Sequence, residues 1–129
     1  MRRVIGLGGV FFKATDPKNL SAWYERHLGI KETNKGQGVT FPWRRAEDPS
    51  SETVTTWAIF PSDTKYFGAS VSSCMFNYQV ENLDALLEAL RAEGVTIDPK
   101  REDYDFGRFA WITDPEGNRI ELWEPPKDK

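Results

Sequence analysis

The residue with the clearest chemical potential is Glu121, in the stretch TDPEGNRIELWEP between Thr113 and Pro125. A carboxylate set among Ile120, Leu122 and Trp123 can serve as a general base, a metal ligand or a polar anchor for a ligand. Other reactive groups are few. The chain has one histidine, His27, and one cysteine, Cys74. His27 sits late on a predicted helix, where a packing role is expected. Cys74 stands beside Met75 and Phe76, which points to a buried thiol, and a single cysteine forms no internal disulfide. The glycines of GLGGV do not open a helix after a strand in the GxGxxG manner, so they form no phosphate loop.

Rings are the second chemical resource. Aromatic residues make up 13% of the chain, with five Trp and eight Phe. Many rings in a small protein fill the core, but as a set they also suit a pocket for an apolar or aromatic ligand.

These residues must be positioned by strands and two helices. Asp16 as N-cap, Pro17 at the first turn and Gly29 at the end predict a helix over Pro17–Leu28. Asn82 and Gly94 bound a second, over Leu83–Glu93, with Leu83, Leu86, Leu87 and Leu90 as its buried stripe. GGVFFKA and CMFNYQV read as the strands before the helices. GVTFPW and TVTTWAIF follow the first helix, and GVTID, RFAWIT and RIELWE follow the second.

Each half therefore reads strand, helix, then two or three strands. The expectation is one α+β domain over residues 1–129, built of tandem β-α-β-β-β modules at about 4–61 and 70–125. Pro61–Ser73 is the expected linker, with Tyr66 and Phe67 packed against the body. The N-caps Asp16 and Asn82 set an offset of 66 residues, which matches Gly9 with Met75; matching Pro61 with Pro125 pairs Trp57 with Glu121.

Composition narrows the function classes. A formal charge of −3 with no Lys/Arg-rich block argues against nucleic acid. No apolar run reaches the roughly 18 residues of a membrane span, and the N-terminal run is too short and Gly-rich for a secretion signal. A cytoplasmic protein is expected.

The tandem repeat ending in DPEGNRIELWEP resembles the vicinal oxygen chelate superfamily: glyoxalase I, extradiol dioxygenases, fosfomycin-resistance transferases and bleomycin-resistance proteins. The resemblance also covers GGVFFKATDPKNLSAWYERHLGI and NYQVENLDALLEALRAEGV, nearly the whole chain. It implies a curved mixed sheet around a concave cavity holding a divalent metal on four ligands, from the first and last strands of each half, and it implies a homodimer. The four corresponding positions are Gly9, Trp57, Met75 and Glu121, and of these only Glu121 offers a suitable donor. Asn77, two residues along from Met75, is a weak substitute.

The expectation is thus no metal cofactor, with a divalent metal as the alternative, and a cavity that binds a small aromatic or apolar molecule. Its predicted lining is Phe41, Trp43, Trp57 and Met75 from one side, and Tyr104, Arg108, Phe109, Trp111 and Trp123 from the other. Glu121 would be the polar anchor. The alternative is a glyoxalase-like lyase or isomerase with Glu121 as catalytic base.

Overall fold

The computed structural model describes residues 2–32 and 38–127. Its elements run β1 (Val4–Ala14), α1 (Pro17–Leu28), β2 (Val39–Arg45), β3 (Asp48–Pro61), β4 (Cys74–Val80), α2 (Leu83–Ala92), β5 (Thr96–Tyr104), β6 (Gly107–Thr113) and β7 (Arg119–Glu124). The seven strands form one open, curved sheet in the order β2-β3-β1-β4-β7-β6-β5. The expected α+β class is the one found. β1 and β4, the first strands of the two halves, pair antiparallel at the middle of the sheet, while β1–β3 and β4–β7 run parallel.

Local chemistry explains the element ends. Asp16 accepts from the Asn19 amide at 3.1 Å, and Asn82 accepts from the Ala85 amide at 3.0 Å, so each helix start has a satisfied donor. α1 ends on Gly29 at φ 71°, a conformation that favours glycine. α2 stops one residue before the predicted end, with Glu93 as its cap.

The Asp114–Asn118 hairpin is held by short-range hydrogen bonds. Gly117 takes positive φ, at 86°, but no non-glycine residue among those described does so. Asn118 contributes bonds instead of backbone freedom: its side chain donates to Asp114 Oδ2 at 3.0 Å and accepts from the Ser72 hydroxyl at 2.7 Å. Asp114 Oδ1 also accepts from the Glu116 and Asn118 amides, each at 2.9 Å.

Strand alternation gives the sheet two unlike faces. On one, α2 lays Leu83, Leu86 and Leu87 over Ala110 and Leu122. On the same side of the other half, Tyr24 of α1 packs on Phe12 and Trp57 with ring centroids 6.1 and 5.0 Å away. α1 is loosely seated, with no fully buried residue and Trp23 50% exposed. His27 lies exposed on α1, 4.9 Å from the Trp23 ring, so the buried or half-buried packing expected for it is corrected: helix register places it on the solvent side. Cys74 is half-buried, and burial pushes its thiol pKa up, as suits an inert thiol.

The opposite face carries a second core of Phe11, Ala58, Phe67, Met75 and Trp111, with Phe60, Tyr66 and Phe109 packed against it. Phe67, from the segment between β3 and β4, is fully buried. This segment folds under the sheet and brings Tyr66 to Glu121.

Candidate functional site

Glu121 is 1% exposed and lies on β7 opposite Asn77 of β4. Its Oε1 accepts from Asn77 Nδ2 at 2.5 Å. Its Oε2 accepts from Trp111 Nε1 at 3.1 Å and from the Tyr66 hydroxyl. Burial raises the Glu121 pKa, and the bonds from Tyr66, Asn77 and Trp111, with the Arg119 charge, oppose the rise. Burial, together with the Glu121 charge, pushes the Tyr66 hydroxyl strongly upward, so Tyr66 stays a donor.

Above this cluster a cavity of about 350 Å³ opens on the same face. Glu121, Asn77 and Tyr66 form its polar floor. Phe11, Val54, Phe106, Phe109 and Trp123 supply apolar walls, and Gly8 and Thr56 complete the lining. Phe109 and Trp123 stand parallel with centroids 6.1 Å apart, and Trp123 Nε1 donates to the Phe106 carbonyl at 2.9 Å. Gly8 is required by close approach, since a Cβ there would fall 2.2 Å from Asn77 Oδ1 and 3.0 Å from the Trp123 ring.

Gly107 supports the Trp123 wall. It has φ 135°, and a Cβ there would lie 2.2 Å from Trp123 Nε1 and 2.8 Å from the Glu124 carbonyl. Gly107→Ala should therefore cost about 1–3 kcal/mol in denaturant unfolding and shift Trp123 emission. An unchanged midpoint and spectrum would contradict this placement.

Of the predicted lining residues, Phe109 and Trp123 reach the cavity beside Glu121. Met75 and Trp111, each 1% exposed, lie in the core beneath it. Tyr104 stacks on the wall residue Phe106 at 4.8 Å and forms an outer rim.

Four expectations need correction. Trp57 faces α1, packed on Phe12 and Tyr24. The Asn77–Glu121 pair of the second half corresponds to Phe11–Ala58 in the first, so Ala58 holds the place assigned to Trp57. Matching the two prolines slipped the register by one, and a slip of one turns a side chain to the other face. The same parity removes Trp43, which donates to Thr55 Oγ1 at 2.8 Å and covers Gly6. Phe41 is 44% exposed on the edge strand β2. Arg108 alternates away from Phe109 and bonds Asp84 of α2 at 3.1 Å.

The contributors that sequence reading left out of the site are Tyr66, Gly8, Phe11, Val54 and Thr56, while Phe106 lies on the segment before β6 that the sequence suggests as a cavity edge. Strand alternation through Ala58 would have found Val54 and Thr56. A register shift between Leu7 and Gly9 in the β1–β4 pairing puts Gly8 at the cavity, and nothing local in the sequence marks it.

The donor set does not fit a divalent metal. Beside Glu121 the equivalent strand positions hold Asn77, Phe11 and Ala58, of which only the Asn77 amide carries a donor atom, and the Glu121 oxygens already accept three protein bonds. Among the described residues, no three His, Cys, Asp or Glu side chains gather as a metal-binding group.

An open curved sheet with two helices on one face and a cavity on the other defines a superfamily of ligand-binding and catalytic proteins. Residues 7–122 match the model of the Glyoxalase/Bleomycin resistance protein/Dioxygenase superfamily, and the chain belongs to that superfamily. Among solved structures it is similar to methylmalonyl-CoA epimerase from Mycobacterium tuberculosis, at 22% identity and TM-score 0.63, covering 98% of this chain and 92% of that one. A variant of the Streptomyces coelicolor methylmalonyl-CoA epimerase in complex with 2-nitronate-propionyl-CoA aligns at 14% identity and TM-score 0.66, over 98% of both chains. A protein described as NAD-dependent benzaldehyde dehydrogenase from Legionella pneumophila aligns at 13% identity and TM-score 0.58, over 92% of this chain and 98% of that one. At these identities the likeness is one of fold. No curated protein matches the chain by sequence. Among the described residues no helix is long and apolar enough to cross a membrane.

Proposed function

We propose that the protein binds a small apolar or aromatic molecule in this cavity without a metal ion. The observation that carries the reading is an apolar-walled cavity closing on a carboxylate whose two oxygens are already held by protein donors. Such a group suits a fixed polar anchor better than a metal ligand, which must offer free lone pairs. Titration with indole or naphthalene, followed by Trp fluorescence, should give a saturable change because Trp123 lines the cavity. No saturable signal from any aromatic probe would remove the reading.

One observation favours the second reading, an enzyme with Glu121 as base: burial raises the Glu121 pKa toward a useful range. Against it, three donors stabilise the carboxylate and weaken it as a base, and among the described residues no Lys, Arg or His lines the cavity as an electrophile. Deuterium uptake at the α-carbon of a bound aryl ketone tests it. Uptake that is equal in wild type and Glu121→Gln would dispose of this alternative.

Two further features of the reading are a cytoplasmic setting, expected from the sequence, and a homodimer, as the family resemblance implies. Trp23 and Leu28 on α1, 50% and 61% exposed, offer apolar surface for a second copy. Sedimentation at micromolar concentration should show twice the chain mass of 14.8 kDa, and a monomer there would contradict the dimer.

A further inference from the structure

The floor of the cavity contains an acceptor that the protein leaves unused. Asn77 is 2% exposed, and its Nδ2 donates to Glu121 Oε1 at 2.5 Å. An ionised carboxylate only accepts, so the amide orientation is fixed: nitrogen toward Glu121, oxygen away from it. That oxygen, Oδ1, is buried and has no hydrogen-bond partner among the described residues. A buried carbonyl-type oxygen without a partner costs on the order of 1–3 kcal/mol, so such groups call for an explanation. Gly8 packs closely against it, since any Cβ there would stand 2.2 Å from Oδ1.

The charge around this acceptor points the same way. Glu121 brings a negative charge to the floor, and among the described residues no Lys, Arg or His lines the cavity. The cations that reach the Trp111 ring are Lys100 and Arg119, at 5.5 and 5.2 Å from its centroid. Both are engaged elsewhere, Lys100 with Glu102 at 3.1 Å and Arg119 with Asp98 at 2.8 Å. The walls above are ring faces, with Trp123 and Phe109 parallel and Phe106 edge-on to Phe109 at 5.7 Å. Ring faces attract cations, and a dry carboxylate attracts them more strongly.

We propose that the ligand is a flat aromatic molecule with a cationic, hydrogen-bond-donating head, an amidinium or ammonium, seated against Asn77 Oδ1 and Glu121. The inference rests on the reading of this cavity as a ligand site and adds the sign and polarity of what enters it. A donor head satisfies the orphan oxygen and meets the carboxylate. A carboxylate or phosphate head would face two acceptors with no compensating cation.

The test uses three probes of one ring size: benzamidine, benzamide and benzoate, titrated near neutral pH by Trp fluorescence against the full chain. Benzamidine should bind at least about tenfold more tightly than benzoate, as a charge-assisted bond in a dry site requires. Glu121→Gln should reduce that preference to under about threefold. If this variant fails to fold, Asn77→Leu, close in volume, should show the same loss of preference. Equal affinity for the three probes, or benzoate the tightest, would overturn the cationic head while leaving an aromatic pocket in place. Full benzamidine preference retained in Asn77→Leu would also overturn it. Binding of none of the three, nor of indole, would remove both this inference and the proposed function.

Discussion

Trp111→Ala should destabilise the protein by about 3–5 kcal/mol, the usual cost of emptying a large buried aromatic site. Trp111 is 1% exposed and sits in the core of Phe11, Ala58, Phe67 and Met75, so its removal opens a cavity in the sheet-face core. It also deletes the 3.1 Å bond to Glu121 Oε2 and removes the ring over which Lys100 and Arg119 lie. For a chain of this size the melting temperature should fall on the order of 10 °C or more. Trp23→Ala is the control: Trp23 is 50% exposed, and its loss should cost under about 1 kcal/mol. Similar losses in the two variants would contradict the assignment of the core to the Trp111 face.

The second large effect belongs to Glu121→Gln, expected to cost about 2–4 kcal/mol near neutral pH. Glutamine offers one acceptor oxygen where Tyr66, Asn77 and Trp111 now donate, and its own NH2 turns toward donors. Each donor left unsatisfied in a buried site costs about 1–3 kcal/mol, partly offset by removing a desolvated charge.

That offset gives the effect a pH dependence. The folded protein holds the Glu121 proton to higher pH than the unfolded chain, whose ordinary value is 4.5. The associated stability is therefore fully present below that value and lost as pH rises through the folded pKa. The variant has no such titration. The stability gap between wild type and Glu121→Gln should narrow as pH rises through this window, measured by urea unfolding. Asp98 and Asp114 are depressed, by the Arg119 and the Asn118 hydrogen bonds respectively, and contribute the opposite slope. Both variants share that slope, so it cancels in the difference. A gap that widens with pH would contradict the raised Glu121 pKa.

The elements were legible because short-range chemistry specifies them. Asp16, Pro17 and Gly29 bound α1 as predicted, and Asn82 starts α2 where expected. The face of β7 followed from alternation alone, so Glu121 and Trp123 were placed together without reference to any other strand. Cross-strand register was less legible. Trp57 was assigned to the cavity by matching Pro61 with Pro125, yet the parallel pairing puts Ala58 opposite Phe11, where Glu121 stands opposite Asn77. A single residue of loop length decides such a pairing, and hydrophobic character at Trp57 suits either face. Tyr66 was least legible of all. It reaches Glu121 from 55 residues away through a segment of turns, and no periodic pattern reports that path.

What separates this chain from a metal-centred reading is that Tyr66, Asn77 and Trp111 hold both Glu121 oxygens, and that Phe11 and Ala58 stand where further ligands would be needed. The direct measurement is an aromatic-probe titration, followed by Trp fluorescence, on protein stripped with a chelator and repeated after adding nickel, manganese or zinc. The account predicts the same saturable curve before and after stripping, with metal content under about a tenth of an equivalent in the purified protein. Binding that appears only when a divalent ion is restored, or near-stoichiometric metal carried through purification, would contradict it.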